Sequence, residues 1–343
     1  MKKLLSIAGV MVSATLALQA QTPTTAGSPP PGGLVVGSGN FFSPIVGDLD
    51  KAVTFYRDGL GLDVAGEPSN ADANPALRNM FGLPDAQIRW QIGRPPAMRT
   101  GVEIVEIKKV QSRPAERRIQ DAGAFTLIVL VRDLDAALAR MKQVGAPVAT
   151  RGGVPVKVGT GAARGVVVRD PDGHFVELFQ PDPLPDTAAA NTANVLGVRV
   201  RLTVDNVERT MRLYRDVMGL QQNALRDFAK DQPVMNMLGL ASGEYRLGTT
   251  QVPGSGLIVE FIEFKGVDRR SVQAGIQDPG STRMQLQVRD VDAAIAALKN
   301  AGGTVVSTGD TVALPGRGGA TTKVAIVRDP NNLFLVLLQA PRS

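Results

Sequence analysis

The chain's single histidine, His174, lies in VRDPDGHFVELFQ (residues 168–180), shortly before Glu177. Imidazole and carboxylate are common metal ligands and acid–base partners. A second stretch with the same frame, VRDPNNLFLVLLQ (327–339), carries Leu333 and Val336 in their places. Side chains alternate along a strand, so positions 174 and 177 face opposite ways. His174 is therefore expected on a solvated turn, apart from Glu177. No other histidine is available for acid–base work. Two further strands bring cations. In VRVRLTV (198–204), Arg199, Arg201 and Thr203 oppose a valine and leucine face. In RMQLQVR (283–289), Arg283, Gln285, Gln287 and Arg289 oppose Met284, Leu286 and Val288. A guanidinium donates two parallel hydrogen bonds, which suits carboxylate or phosphate oxygens. These faces predict a pocket for a small polar or anionic molecule. The alternative is an internal arginine–glutamate network that only holds the structure together.

The elements that position these residues recur. NMFGL at Asn79 matches NMLGL at Asn236, and VEIK at Val105 matches IEFK at Ile262, both at an offset of 157 residues. The chain is therefore duplicated. Each half repeats again: β-rich stretches lead to N-cap candidates at Asp48, Asp133, Asn206 and Asp290. A short amphipathic helix follows each, closed by glycine at Gly59 or Gly61, Gly145, Gly219 and Gly302. Short strands come next. The pattern predicts an α+β protein made of four βαβββ units. The halves span 34–180 and 195–340, joined by the low-complexity linker 181–194. Residues 1–20 read as a secretory signal peptide, with Lys2 and Lys3 before an uncharged apolar run. Residues 21–33 read as a disordered linker. This predicts an exported protein, periplasmic or extracellular, with no membrane association after cleavage.

Composition narrows the rest. There is no cysteine, so disulfides, thiolate ligands and thiol nucleophiles are excluded. The formal charge is +6, but the basic residues are scattered and aromatics make up 4%. Nucleic-acid binding, which needs a basic face with stacking rings, is not expected. Two matching basic connectors, KKVQSRPAERR from Lys108 and KGVDRRSVQ from Lys265, read as solvated surface.

Four βαβββ units, a helix of the form DL-x-x-A-x-x-FY and the DPDGHFVEL turn resemble the vicinal oxygen chelate superfamily. That superfamily contains glyoxalases, extradiol dioxygenases and bleomycin-resistance proteins. The resemblance covers about Val35 to Gln339 and implies two tandem domains forming an internal pseudo-dimer. It implies that two units close into one cup-shaped sheet, with the ligand inside. Metal-binding members place ligands on the first and last strands of each unit. Those places fall near Phe41, Thr126, Arg199 and Arg283, and at Glu103, Glu177, Glu260 and Val336. The resemblance thus assigns Glu103 and Glu177 to one cup, and Arg199, Arg201, Glu260, Arg283 and Gln285 to the other. The first cup, with Phe41, Ser43, Ile45, Thr126, Ile128 and Leu130 inward and Trp90 beside them, is expected to be drier and to suit an aromatic or lipophilic ligand. The favoured expectation is binding of a small polar or anionic molecule, with no cofactor. One alternative is a glyoxalase-like lyase or dioxygenase with a divalent metal on Glu103 and Glu177. Another is a scaffold whose cups serve only structure.

Overall fold

Each predicted helix start is a capped helix. The side chains of Asp48, Asp133, Asn206 and Asp290 accept from the backbone N–H of Lys51, Ala136, Arg209 and Ala293. Each such helical segment closes on a glycine in the left-handed region, at φ of 79° for Gly61, 74° for Gly145, 82° for Gly219 and 96° for Gly302. The computed structural model describes residues 33–339 except 73, 97, 191 and 316–319. The expected signal peptide (1–20), the linker before Gly33 and residue 340 lie outside the described residues.

The first unit comprises β1 (Val35–Ser38), β2 (Ser43–Val46), α1 (Leu49–Thr54), β3 (Asp63–Val64), β4 (Ser69–Asn70), α2 (Pro75–Met80), β5 (Gln87–Arg94) and β6 (Val102–Lys108). The second holds β7 (Phe125–Val131), α3 (Leu134–Gln143), β8 (Val156–Lys157), β9 (Arg164–Arg169) and β10 (Phe175–Gln180). The third holds β11 (Val195–Thr203), α4 (Val207–Arg212), β12 (Gln221–Leu225), α5 (Gln232–Met237), β13 (Glu244–Gln251) and β14 (Ile258–Lys265). The fourth holds β15 (Thr282–Val288), α6 (Val291–Asn300), β16 (Thr304–Val305), β17 (Val312–Pro315), β18 (Thr321–Arg328) and β19 (Phe334–Gln339).

Two sheets result, and each takes one unit from each half of the chain. One runs β16-β18-β19-β15-β2-β6-β5-β3, joining the fourth unit to the first. The other runs β12-β13-β14-β11-β7-β10-β9-β8, joining the third to the second. First strands meet antiparallel at both centres, with Arg283 opposite Ser43 and Arg201 opposite Thr126. Within each unit, the strand that leads into the capped helix, β2 in the first unit, lies parallel to the last. This corrects the expected grouping of pocket residues, because Glu103 and Glu177 fall in different sheets.

The repeated NM-x-GL motif clips the units together across the halves. Ser307 Oγ, in the fourth unit, donates to the Met80 carbonyl at the end of α2 (2.6 Å) and accepts from Ile326 N–H (2.8 Å). Thr150 Oγ1, in the second unit, does the same for Met237 at the end of α5 (2.7 Å) and Val167 N–H (2.8 Å). Gly82 and Gly239 follow at φ of 67° and 80°, and a Cβ on either would run into the Val306 or Ala149 carbonyl. Thus α2 is held against the fourth unit and α5 against the second, and each helix lines the interior of its cup.

The basic connectors are largely exposed, as expected, but they also bond to each other and to buried acids. Asp121 is fully buried and accepts from Arg270 N–H (2.7 Å), while Arg118 bridges Asp121 and Asp268. Arg113 N–H donates to buried Asp278 (3.0 Å), and Arg117 is only 7% exposed. Arg113 and Arg117 also donate to the Gln273 and Val272 carbonyls, which ties one connector to the other.

Candidate functional site

The cup of the first and fourth units has a polar floor and apolar walls. Glu103 Oε2 accepts from Arg283 Nη2 (2.9 Å), Gln285 Nε2 (2.9 Å) and Ser43 Oγ (3.3 Å). Gln285 Oε1 in turn accepts from Asn40 N–H (3.1 Å), which fixes its amide orientation. The Arg283 guanidinium is 1% exposed and lies over the Phe81 ring, 4.6 Å from its centroid. Burial holds this guanidinium below its ordinary range, although Glu103 opposes the shift. Its Nε is buried without a hydrogen-bond partner among the described residues. Above this floor lies a cavity of about 200 Å³, walled by Leu77, Met80, Ile88, Trp90, Val105, Leu314, Val336 and Leu338. A cavity of ~150 Å³ with such walls can hold benzene, so this one has room for a substituted ring.

The cup of the second and third units is occupied by its own charges. Arg201 donates Nη1 to Glu177 Oε2 (2.6 Å) and Nε to Glu260 Oε2 (2.8 Å). Arg199 Nη1 stands 3.6 Å from Glu260 Oε1. The four side chains are no more than 13% exposed. Burial pushes the Glu177 carboxyl above its ordinary range, and Glu260 adds to this while Arg201 opposes it. The void beside this network is about 40 Å³, walled by Val234, Met237, Leu238, Phe179 and Tyr245. That admits water but no organic ring.

The residues do not suit a divalent metal in either cup. Catalytic metal sites use about three protein ligands. Among the described residues, Glu103 is the one acid lining the first cavity, and three donors already occupy its Oε2. Arg201 stands within hydrogen-bond reach of both Glu177 and Glu260, so a guanidinium takes the place where an ion would have to sit. Among the described residues, no group of three or more His, Asp or Glu side chains could hold an ion.

His174 corrects the expectation of a solvated turn. It is 3% exposed. Asp170 Oδ1 accepts the N–H groups of Asp172 and His174, which folds the turn inward. His174 Nδ1 then meets Asp170 Oδ2 (2.8 Å), and Nε2 meets the Ser281 carbonyl (3.0 Å). Both partners only accept, so both ring nitrogens carry protons, assigned here from the partners. Tyr56 O–H donates to the same Asp170 oxygen (3.0 Å). The histidine therefore joins the second unit to Ser281 at the start of the fourth. In agreement with strand parity, it lines neither cavity.

The structure thus brings Glu103, Arg283 and Gln285 together in one cup, and Glu177, Arg199, Arg201 and Glu260 in the other. Sequence reasoning grouped them by half and missed this exchange. Of the first-strand places counted, Arg283 does reach Glu103, with Gln285 beside it, whereas Phe41 does not line the cavity and Ser43, two residues on, reaches Glu103 in its stead. The NM-x-GL motif is the signal that could have revealed the helices that line the two cups.

Residues 40–178 and 198–337 each match the model of the Glyoxalase/Bleomycin resistance protein/Dioxygenase superfamily. No curated protein matches the chain. Among solved structures, glyoxalase I from Zea mays superposes with a TM-score of 0.57 at 20% identity, covering 88% of this chain and 92% of that one. A Bacillus subtilis protein assigned as a dioxygenase gives 0.51 at 13% identity, covering 91% and 87%. These likenesses establish the fold, and with two family matches spanning most of its length the chain belongs to the Glyoxalase/Bleomycin resistance protein/Dioxygenase superfamily.

Proposed function

We propose that this exported protein binds a small amphipathic molecule, without a metal, in the cup of its first and fourth units. The carrying observation is the contrast between the cups. One keeps an apolar-walled cavity of about 200 Å³ beside its ion pair, whereas the void at the other's charge network is about 40 Å³. The space of about 250 Å³ beyond Tyr245 and Leu247 is lined by charged residues such as Arg226, Asp227, Lys230 and Asp231. Apolar walls with a few convergent polar groups are what small-molecule sites usually offer. The expected polar or anionic ligand becomes one with an apolar body and a polar end, since a single buried ion pair supplies the polar floor. A metal-dependent glyoxalase or dioxygenase reaction is less well supported, because the acids are committed to arginines.

Trp90, the only tryptophan, lines this cavity and reports on it directly. A screen of single-ring aromatic compounds is expected to contain members that shift Trp90 emission saturably. Val336→Phe, which fills the cavity, is expected to weaken that binding at least about tenfold, the equivalent of ~1.4 kcal/mol. A screen with no saturable shift, or full binding in the filled variant, would overturn the reading.

A further inference from the structure

We infer that the ligand end reaching the cavity floor is a neutral carboxamide, lactam or urea, with an N–H and a carbonyl side by side. This rests on the binding reading above and names the ligand class of the same site.

The floor offers a free carboxylate oxygen beside guanidinium N–H groups, Nε and Nη1, that have no partner among the described residues. Glu103 Oε2 is saturated by Arg283, Gln285 and Ser43. Its other oxygen, Oε1, accepts no hydrogen bond among the described residues, and the side chain keeps 16% of its surface exposed. Arg283 commits Nη2 to Glu103, and its Nη1 donates to nothing among the described residues. Phe81 beneath the guanidinium and Asn40 behind Gln285 hold both polar groups in place. A carboxamide can donate N–H to Oε1 and accept from Nη1 through its carbonyl, satisfying both.

Charge decides against the alternatives. Glu103 and Arg283 are 2.9 Å apart and cancel. A carboxylate would add a second negative charge beside Glu103, and an ammonium a second positive charge beside Arg283. Either would leave a net charge among apolar walls, where an uncompensated ion is costly. An amide keeps the floor neutral, and the walls beyond it, including Trp90 and Met80, accept the ligand's ring.

Calorimetric titration of the full chain at pH 7 with benzamide, benzoate, benzylammonium and ethylbenzene tests this. Benzamide is expected to bind at least tenfold tighter than benzoate and benzylammonium. In Glu103→Gln the positive charge of Arg283 is uncompensated, so benzoate is expected to gain at least tenfold and overtake benzamide. Benzoate or benzylammonium matching benzamide in the unmodified protein would overturn the inference. Should the variant fail to fold, the ranking in the unmodified protein decides alone. If ethylbenzene binds while the polar compounds show no benzamide preference, the ligand class falls and the binding site stands. If none of the four binds, both fall.

Discussion

Arg201→Met is expected to lower the free energy of unfolding by about 3–5 kcal/mol, because it leaves two buried carboxylates without their cation. Arg201 reaches Glu177 at 2.6 Å and Glu260 at 2.7 Å, and these acids are only 3% and 4% exposed at their side chains. Arg199 stands farther off, at 3.6 Å from Glu260, and cannot replace it for Glu177. Adding Glu177→Gln and Glu260→Gln to the same variant is expected to recover most of the loss, since removing a whole buried ion network is often nearly neutral. Denaturant titration measures both. A single variant within about 1 kcal/mol of the parent, the range of an exposed salt bridge, would show that the network carries no buried charge.

His174→Leu copies the residue at the matching place of the second repeat, Leu333, and is expected to cost about 3 kcal/mol. The repeats differ in how the turn's aspartate is satisfied. Asp329 accepts from Asn331 Nδ2 (3.1 Å) and Tyr214 O–H (2.8 Å), whereas Asp170 relies on His174 and Tyr56. Leucine at 174 would leave the buried Asp170 without its cation. The pH dependence carries a defined sign. Burial disfavours the imidazolium, but Asp170, the Ser281 carbonyl and Asp172 outweigh it and raise its pKa above 6.5. Burial likewise opposes ionisation of Asp170, but His174, its own turn and Tyr56 lower its pKa below 3.8. The pair's contribution is therefore complete between those two values. It is lost as pH rises above 6.5 through the folded histidine's pKa, and as pH falls below 3.8 through the folded aspartate's. Denaturation at pH 5.5 and 8.5 is expected to show the parent losing more stability on the alkaline side than His174→Leu does. Comparison with the variant removes the contribution of Glu177, whose raised pKa acts in the same direction. Equal pH dependence in the two proteins would mean that the ring is neutral.

The units were legible in the sequence because their signals are local. Capping side chains, closing glycines and strand alternation act within a few residues, and Asp48, Gly61 and the Val198–Val204 alternation all hold in the structure. The pairing of units was not legible, because it depends on which first strands meet. Ser307 and Met80 are 227 residues apart, and Arg283 and Glu103 are 180 apart, so nothing near either residue announces its partner. The same distance explains His174. Its turn reads as solvated until Ser281, 107 residues away, is placed against the ring. The inward face of each strand was readable, but the division of those faces between two cups was not. Three arginines read as one cationic interior are therefore two in one cup and one in the other.

The repeated motif supplies a matched pair of reporters for the central claim. Met80 lines the cavity of the first and fourth units, and Met237 lines the small void of the second and third. Methionine-methyl NMR during a benzamide titration reads both cups in one experiment. The account predicts that the Met80 methyl signal moves saturably while that of Met237 stays in place. A saturable shift at Met237, or no shift at Met80 at a benzamide concentration that alters Trp90 emission, would contradict it.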